Sequence, residues 1–112
     1  MKNIDEARKA ASEAAKWDLQ GLYTDPTQEL LDSTYRETAD CWLFFQHVGI
    51  SIPPERSLSH GAYAISKHSM EERFVPDLRG DELRLVAYMQ LLSSYFAKAA
   101  QTGELPVKNA GV

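Results

Sequence analysis

The segment that most constrains the fold is a run of eight residues, Cys-Trp-Leu-Phe-Phe-Gln-His-Val, at positions 41–48. Successive side chains of a strand point to opposite faces of a sheet, and both faces of this run are apolar at its start. Such a strand is stable inside a sheet that other elements cover on both sides. The run therefore predicts a central strand in a layered domain.

A helix is predicted before this strand. Asn3 followed by Glu6 is the pattern of a capping box, and alanine and leucine residues then recur at helical spacing. We expect the helix to span residues 4–20 and to end at Gly21. Because its inward face is mostly alanine, it can pack closely on another element.

Further strands are expected beside the central run, at residues 29–38, 62–67 and 72–75. Serine, threonine and tyrosine residues favour the first of these strands. Asp25-Pro26 is also a helix-opening pair, so residues 26–36 remain open between strand and helix. The last two strands form a predicted hairpin that Pro76 stops.

The C-terminal part predicts a long helix over residues 81–101, with Gly103 at its C-cap and a frayed tail at 104–112. The order of helix, strands and helix indicates an α+β fold. We expect one domain, spanning residues 1–112, with an N-terminal helix, a small antiparallel sheet of about four strands and a long C-terminal helix.

The C-terminal helix carries a second apolar stripe of Tyr88, Leu91 and Tyr95. One interpretation is a helix packed between the sheet and the first helix. Another is a surface for a second copy of the chain, in a homodimeric adaptor, or for a partner protein. A further interpretation, of the whole chain, is a small-ligand binder or minor enzyme that uses a pocket between this helix and the sheet.

Composition excludes several classes of protein. The single cysteine, Cys41, allows neither an internal disulfide nor a thiolate-rich metal site. A net charge of −4 argues against a protein that binds nucleic acid, and no apolar run approaches the length that spans a membrane. The start of the chain lacks the apolar run of a signal peptide, so we expect a cytoplasmic protein.

The negative charge is concentrated in two segments. Residues 25–48 carry a net charge of −4, and residues 71–82 carry a net charge of −3. Two acidic segments that meet in the fold would attract a basic partner. The alternative is an ordinary solvated surface that keeps the protein soluble.

No residue pattern predicts catalysis, a metal site or a cofactor. His47, His60 and His68 lack the spacing of a zinc-binding helix. Cys41 lies too far along one strand from His47 to form a nucleophile–base pair, and we expect it to be a buried, small apolar residue. His60 follows Ser59 with no carboxylate nearby in sequence, and we expect it to anchor the preceding loop. These observations predict a protein that is not an enzyme.

Three features carry a family resemblance. A polar strand leads into a tryptophan-led aromatic strand over Thr34–Phe45, the segment His-Gly-Ala-Tyr-Ala-Ile-Ser-Lys follows a long loop at 60–67, and a hairpin leads into a helix with Tyr88 and Tyr95. From residue 29 to about 95 the chain resembles the YrhB-like family of small immunity proteins found in bacterial polymorphic toxin systems.

The resemblance implies a non-enzymatic protein that binds and neutralises a cognate toxin. A basic toxin domain would complement the two acidic segments. Predicted turns and strand ends project side chains outward, so we expect Glu37, Asp40, Glu71 and Glu72 to make the charged contacts.

Overall fold

A computed structural model describes residues 3–25, 27–47, 49–50 and 60–102 of the chain. In order, its elements are α1 (Ile4–Asp18), β1 (Leu31–Glu37), β2 (Cys41–Gln46), β3 (Gly61–Ser66), β4 (Glu72–Pro76) and α2 (Glu82–Thr102). Neighbouring strands pair antiparallel in the order β1-β2-β3-β4. This arrangement confirms the predicted α+β class and settles residues 31–36 as strand.

The N-terminal helix begins as its sequence predicts. The Asn3 side chain accepts a hydrogen bond from the Glu6 N–H, and the Glu6 carboxylate accepts one from the Asn3 N–H. The helix ends at Asp18, however, and not at residue 20. Gly21 lies in the turn that follows, with a φ of 87° that glycine adopts without a steric penalty.

The strand ends differ slightly from the sequence prediction. β2 ends at Gln46, two residues early, and Val48 lies outside the described residues. β4 includes Pro76 and does not stop before it. β4 is the last strand of the sheet, so no strand pairs with its outer edge. A proline whose nitrogen faces that outer edge removes no hydrogen bond between strands.

Two hydrophobic clusters lie on opposite faces of the sheet. On one face, α1 packs through its alanines, and this α1-face cluster comprises Ala7, Ala11, Ala15, Leu19, Leu30, Leu31, Trp42, Phe44, Ile50, Tyr63 and Ile65. On the other face lies the α2-face cluster of Cys41, Leu43, Phe45, Ala62, Ala64, Val75, Leu85, Met89, Leu92 and Phe96.

The central strand explains this layering. All six residues of β2 are buried: the first five alternate between the two clusters, and Gln46 is buried with hydrogen bonds to Tyr63 and Gly61. The interpretation that α2 packs between the sheet and α1 is therefore wrong. A strand that is apolar on both faces needs a cover on each side, and the two helices supply one cover each.

Several predicted features lie in residues that the structure does not describe. The predicted cap at Gly103 and the tail at 104–112 lie outside the described residues, as does most of the loop between β2 and β3. The expected anchor of that loop is confirmed, because His60 Nε2 hydrogen-bonds to the Ile50 carbonyl. Within the described part of the chain, no helix is long and apolar enough to cross a membrane.

Candidate functional site

The sheet topology brings the four predicted acidic contact residues to one end of the molecule. Glu37 is the last residue of β1, and Asp40 lies in the turn to β2. Glu71 and Glu72 lie where the β3–β4 turn enters β4. Because neighbouring strands are antiparallel, β1 and β3 run in the same direction, and the turns that follow them lie at the same end of the sheet. We call this region the turn-end surface: Glu37, Asp40, Lys67, His68, Glu71, Glu72 and Arg73.

Asp40 joins three elements of this region. One carboxylate oxygen accepts a hydrogen bond from Ser93 Oγ of α2 at 2.6 Å, and the other lies 2.8 Å from His68 Nε2 of the β3–β4 turn. The Asp40 carbonyl also accepts the Lys67 N–H. The hydrogen bond from Ser93 and then the one from His68 hold the pKa of Asp40 below its usual value.

The order of these three side chains determines their chemistry. Asp40 lies in the middle, so Ser93 and His68 each bond to the carboxylate and not to each other. A serine nucleophile needs a base that takes its proton, and here the serine proton is directed to a carboxylate with a lowered pKa. The arrangement therefore holds a negative charge in place and ties α2 to both turns.

Glu37 is half-exposed and forms an ion pair with Lys67. The Lys67 ammonium also lies 5.2 Å from the centre of the Trp42 ring, within the range of a cation–π contact. Exposed pairs of this kind contribute less than about 1 kcal/mol, so the Glu37 carboxylate can exchange its partner at little cost.

Glu71 is more constrained. Its Oε2 accepts a hydrogen bond from the Tyr95 hydroxyl of α2 at 3.0 Å, and Arg73 Nη1 lies 3.3 Å away. Its Oε1 is buried and has no hydrogen-bond partner among the described residues. Burial, together with the Glu71 carboxylate, raises the pKa of Tyr95. Glu71 thus serves to fasten the hairpin to α2.

Glu72 is exposed and makes no ion pair with the described residues. The turn-end surface carries four carboxylates against Lys67 and Arg73, which leaves two net negative charges when His68 is neutral. Of the four predicted contact residues, Glu37 and Glu72 are accessible, whereas Asp40 and Glu71 are engaged in holding α2. The sequence carries no signal for the Ser93 contact, because Ser93 is 53 residues from Asp40.

The apolar stripe of α2 is divided by the fold. Tyr88 and Tyr95 are partly buried against the α2-face cluster, whereas Leu91 is 67% exposed. The helix also exposes Leu83, at 84%, which the stripe did not include. The space between α2 and the sheet holds the apolar side chains of the α2-face cluster, and the ligand pocket expected there remains a prediction.

The buried side chains agree with the interpretation of Cys41 as a small apolar residue. Cys41 is 1% exposed, and burial raises the pKa of its thiol. Trp42, Phe44, Phe45 and Tyr63 lie in the core, as expected of aromatic residues without interleaved basic ones. Within the part of the chain that the structure describes, no group of three His, Cys, Asp or Glu side chains is placed to hold a metal ion.

The chain matches no family model, no curated protein and no solved structure.

Proposed function

We propose that this chain is a non-enzymatic immunity protein that acts in the cytoplasm and neutralises a cognate, basic bacterial toxin domain through the turn-end surface. The family resemblance over residues 29–95 suggests the class of protein. Two acids of each acidic segment, Glu37 and Asp40 of the first and Glu71 and Glu72 of the second, meet at one end of the sheet, and this supports the location of the contact.

Electrostatics favour this surface for binding a basic partner. Two net negative charges would speed the encounter with a positively charged cleft, and the effect would weaken as salt screens it. Hydrogen bonds from α2 already hold Asp40 and Glu71 in place, so these two side chains lose little conformational entropy when a partner binds. Glu72, which has no ion pair with the described residues, and Glu37, which can exchange its pair with Lys67, are the side chains accessible to the partner.

The test is charge reversal at the two accessible acids. The double variant Glu37→Lys/Glu72→Lys should bind the product of the adjacent gene at least about tenfold more weakly at low salt, with a smaller difference at high salt. It should also fail to protect cells that express that product. Binding is measured by calorimetry, and protection by growth.

A matched control is available on α1. In Asp5→Lys/Glu13→Lys the change in net charge is the same, and Glu13 sits in an exposed ion pair with Lys16 as Glu37 does with Lys67. This control should bind and protect like the wild type. The proposal fails if the adjacent gene product neither binds nor is toxic. The toxin does not bind at the turn-end surface if the two double variants bind it and protect cells equally well.

A homodimeric adaptor is a second candidate, which the exposed leucines of α2 favour. Leu83 and Leu91 are 84% and 67% exposed on this helix, and large apolar side chains lose contact with water when a second copy covers them. Light scattering should then report a dimer that Leu91→Gln dissociates. A monomer at high concentration contradicts this candidate.

A further inference from the structure

The first strand contains an irregularity next to a cavity. Leu31 pairs with Gln46, and the next pair in register is Tyr35 with Phe44. Three residues of β1 therefore span the distance of one residue of β2, which is the geometry of a β-bulge. The bulged segment, residues 32–34, leaves the ladder and places polar groups at the surface.

Two arginines hold this bulge, Arg8 from α1 and Arg79 from the turn between β4 and α2. Arg8 of α1 donates from Nη2 to the Asp32 carbonyl at 3.0 Å, and its guanidinium lies 5.7 Å from the centre of the Phe44 ring. Arg79 donates from Nη1 to the Asp32 carboxylate at 2.6 Å, and this contact holds the pKa of Asp32 below its usual value. Asp32 is thus ionised and already paired, so its charge is not available to a ligand.

The bulge borders a cavity of about 310 Å³ at the sheet end opposite the turn-end surface. It is lined by Arg8, Glu29, Leu31, Asp32, Ser33 and His47. This volume lies at the lower end of the range of small-molecule sites. Bulges occur often beside binding sites, where they re-aim side chains.

The lining offers a cation and an anion with remaining hydrogen-bonding capacity. Arg8 is half-buried and uses one of its five N–H groups on Asp32. His47 accepts the Gly49 N–H at Nδ1, so its neutral ring keeps a proton on Nε2. The Glu29 carboxylate has no hydrogen-bond partner among the described residues. Donors for a carboxylate and an acceptor for an ammonium therefore border one cavity.

We propose that this cavity binds a free amino acid in its zwitterionic form. Its carboxylate would receive hydrogen bonds from Arg8 and His47, and its ammonium would pair with Glu29. Ser33 and Leu31 would contact the remainder of the ligand. A plain anion fits less well, because Glu29 would repel it. The site is independent of toxin binding, since it shares no residue with the turn-end surface.

Binding is tested with L-alanine in an NMR titration that follows the backbone amides of the full chain. Acetate and methylammonium serve as half-ligands, because each carries only one of the two charged groups of an amino acid. Alanine should shift the resonances of residues 29–33 saturably, and each half-ligand should bind at least about tenfold more weakly. Glu29→Gln should weaken alanine binding by at least about tenfold, and Arg8→Gln should do the same.

Two comparisons keep the result interpretable. Glu29→Gln alters an exposed side chain, so it preserves the fold even if Arg8→Gln does not. Glu13→Gln, on the exposed side of α1, should leave alanine binding unchanged. The proposal is overturned if alanine causes no saturable shift, if acetate binds as tightly as alanine, or if Glu29→Gln has no effect.

Discussion

Gly61 opens β3 directly beneath an aromatic ring. A Cβ at this position would lie 2.1 Å from Cζ and 2.3 Å from Cε1 of Phe74 on the neighbouring strand. The Phe74 ring also contacts Tyr63 edge-on, with 5.5 Å between ring centres. Although Phe74 is 54% exposed, it covers the backbone of β3 at the point where that strand has no side chain. A side chain at position 61 would therefore require the Phe74 ring to move.

We therefore expect Gly61→Ala to lower the free energy of unfolding by about 1–3 kcal/mol, because the added methyl group must displace the ring. Urea denaturation measures the effect. In a Phe74→Ala background the same substitution should cost much less, since the clash is gone. Gly80→Ala is the control, as no atom lies within 4 Å of a Cβ built there. An equal cost of Gly61→Ala in both backgrounds would contradict this account.

At the scale of elements, one side chain joins the sheet end to the segment before α2. Arg79 binds the Asp77 carboxylate through Nε and Nη2, the Asp32 carboxylate through Nη1, and the Gln46 carbonyl through Nη2. Its guanidinium also stacks 4.3 Å from the centre of the Phe45 ring. A lysine has neither the planar fork nor the number of donors to replace these contacts.

Arg79→Met should consequently lower the free energy of unfolding by about 2 kcal/mol, because two partly buried carboxylates lose their cation. Thermal and urea denaturation both report this loss. Arg84→Met removes an exposed arginine from the start of α2 and should change stability by less than about 0.5 kcal/mol. Similar losses in the two variants would show that Arg79 does not join these elements.

At the scale of the whole molecule, paired carboxylates at both ends of the sheet make stability depend on pH. The pKa of Asp32 is lowered by the hydrogen bond from Arg79, and the pKa of Asp40 by that from Ser93. A carboxylate whose pKa is lower in the folded state stabilises the fold above its unfolded pKa of about 4. That stabilisation is lost as the pH falls through the folded pKa.

We expect the free energy of unfolding to decrease below about pH 5 and to keep decreasing down to the folded pKa values. Asp40→Asn should be less stable at neutral pH and should show a shallower decrease in acid, because one of the titrating groups is gone. Urea denaturation over a pH series measures both curves. Parallel curves for the variant and the wild type would mean that Asp40 does not contribute to acid sensitivity.

Local sequence signals predicted much of the architecture. The capping box of Asn3 and Glu6 started α1, the apolar run from Cys41 marked the central strand, and helical periodicity located α2. These signals act between residues that are close along the chain, so their physics is readable from the sequence. Errors fell at element ends, such as α1 ending at Asp18, where local preferences compete with tertiary packing.

The sequence by itself determined the two-sided core strand, the two acidic segments and the types of all elements except the first strand, which it left open between strand and helix. Only the tertiary structure decided which helix covers which face, and which acids remain accessible. The pairings that decide accessibility join distant residues: Asp40 with Ser93 across 53 positions, and Asp32 with Arg79 across 47. Such contacts have no local signature, because they form only when folding brings the segments together. The same charges therefore appear equivalent in the sequence and become, in the fold, either structural anchors or free surface groups.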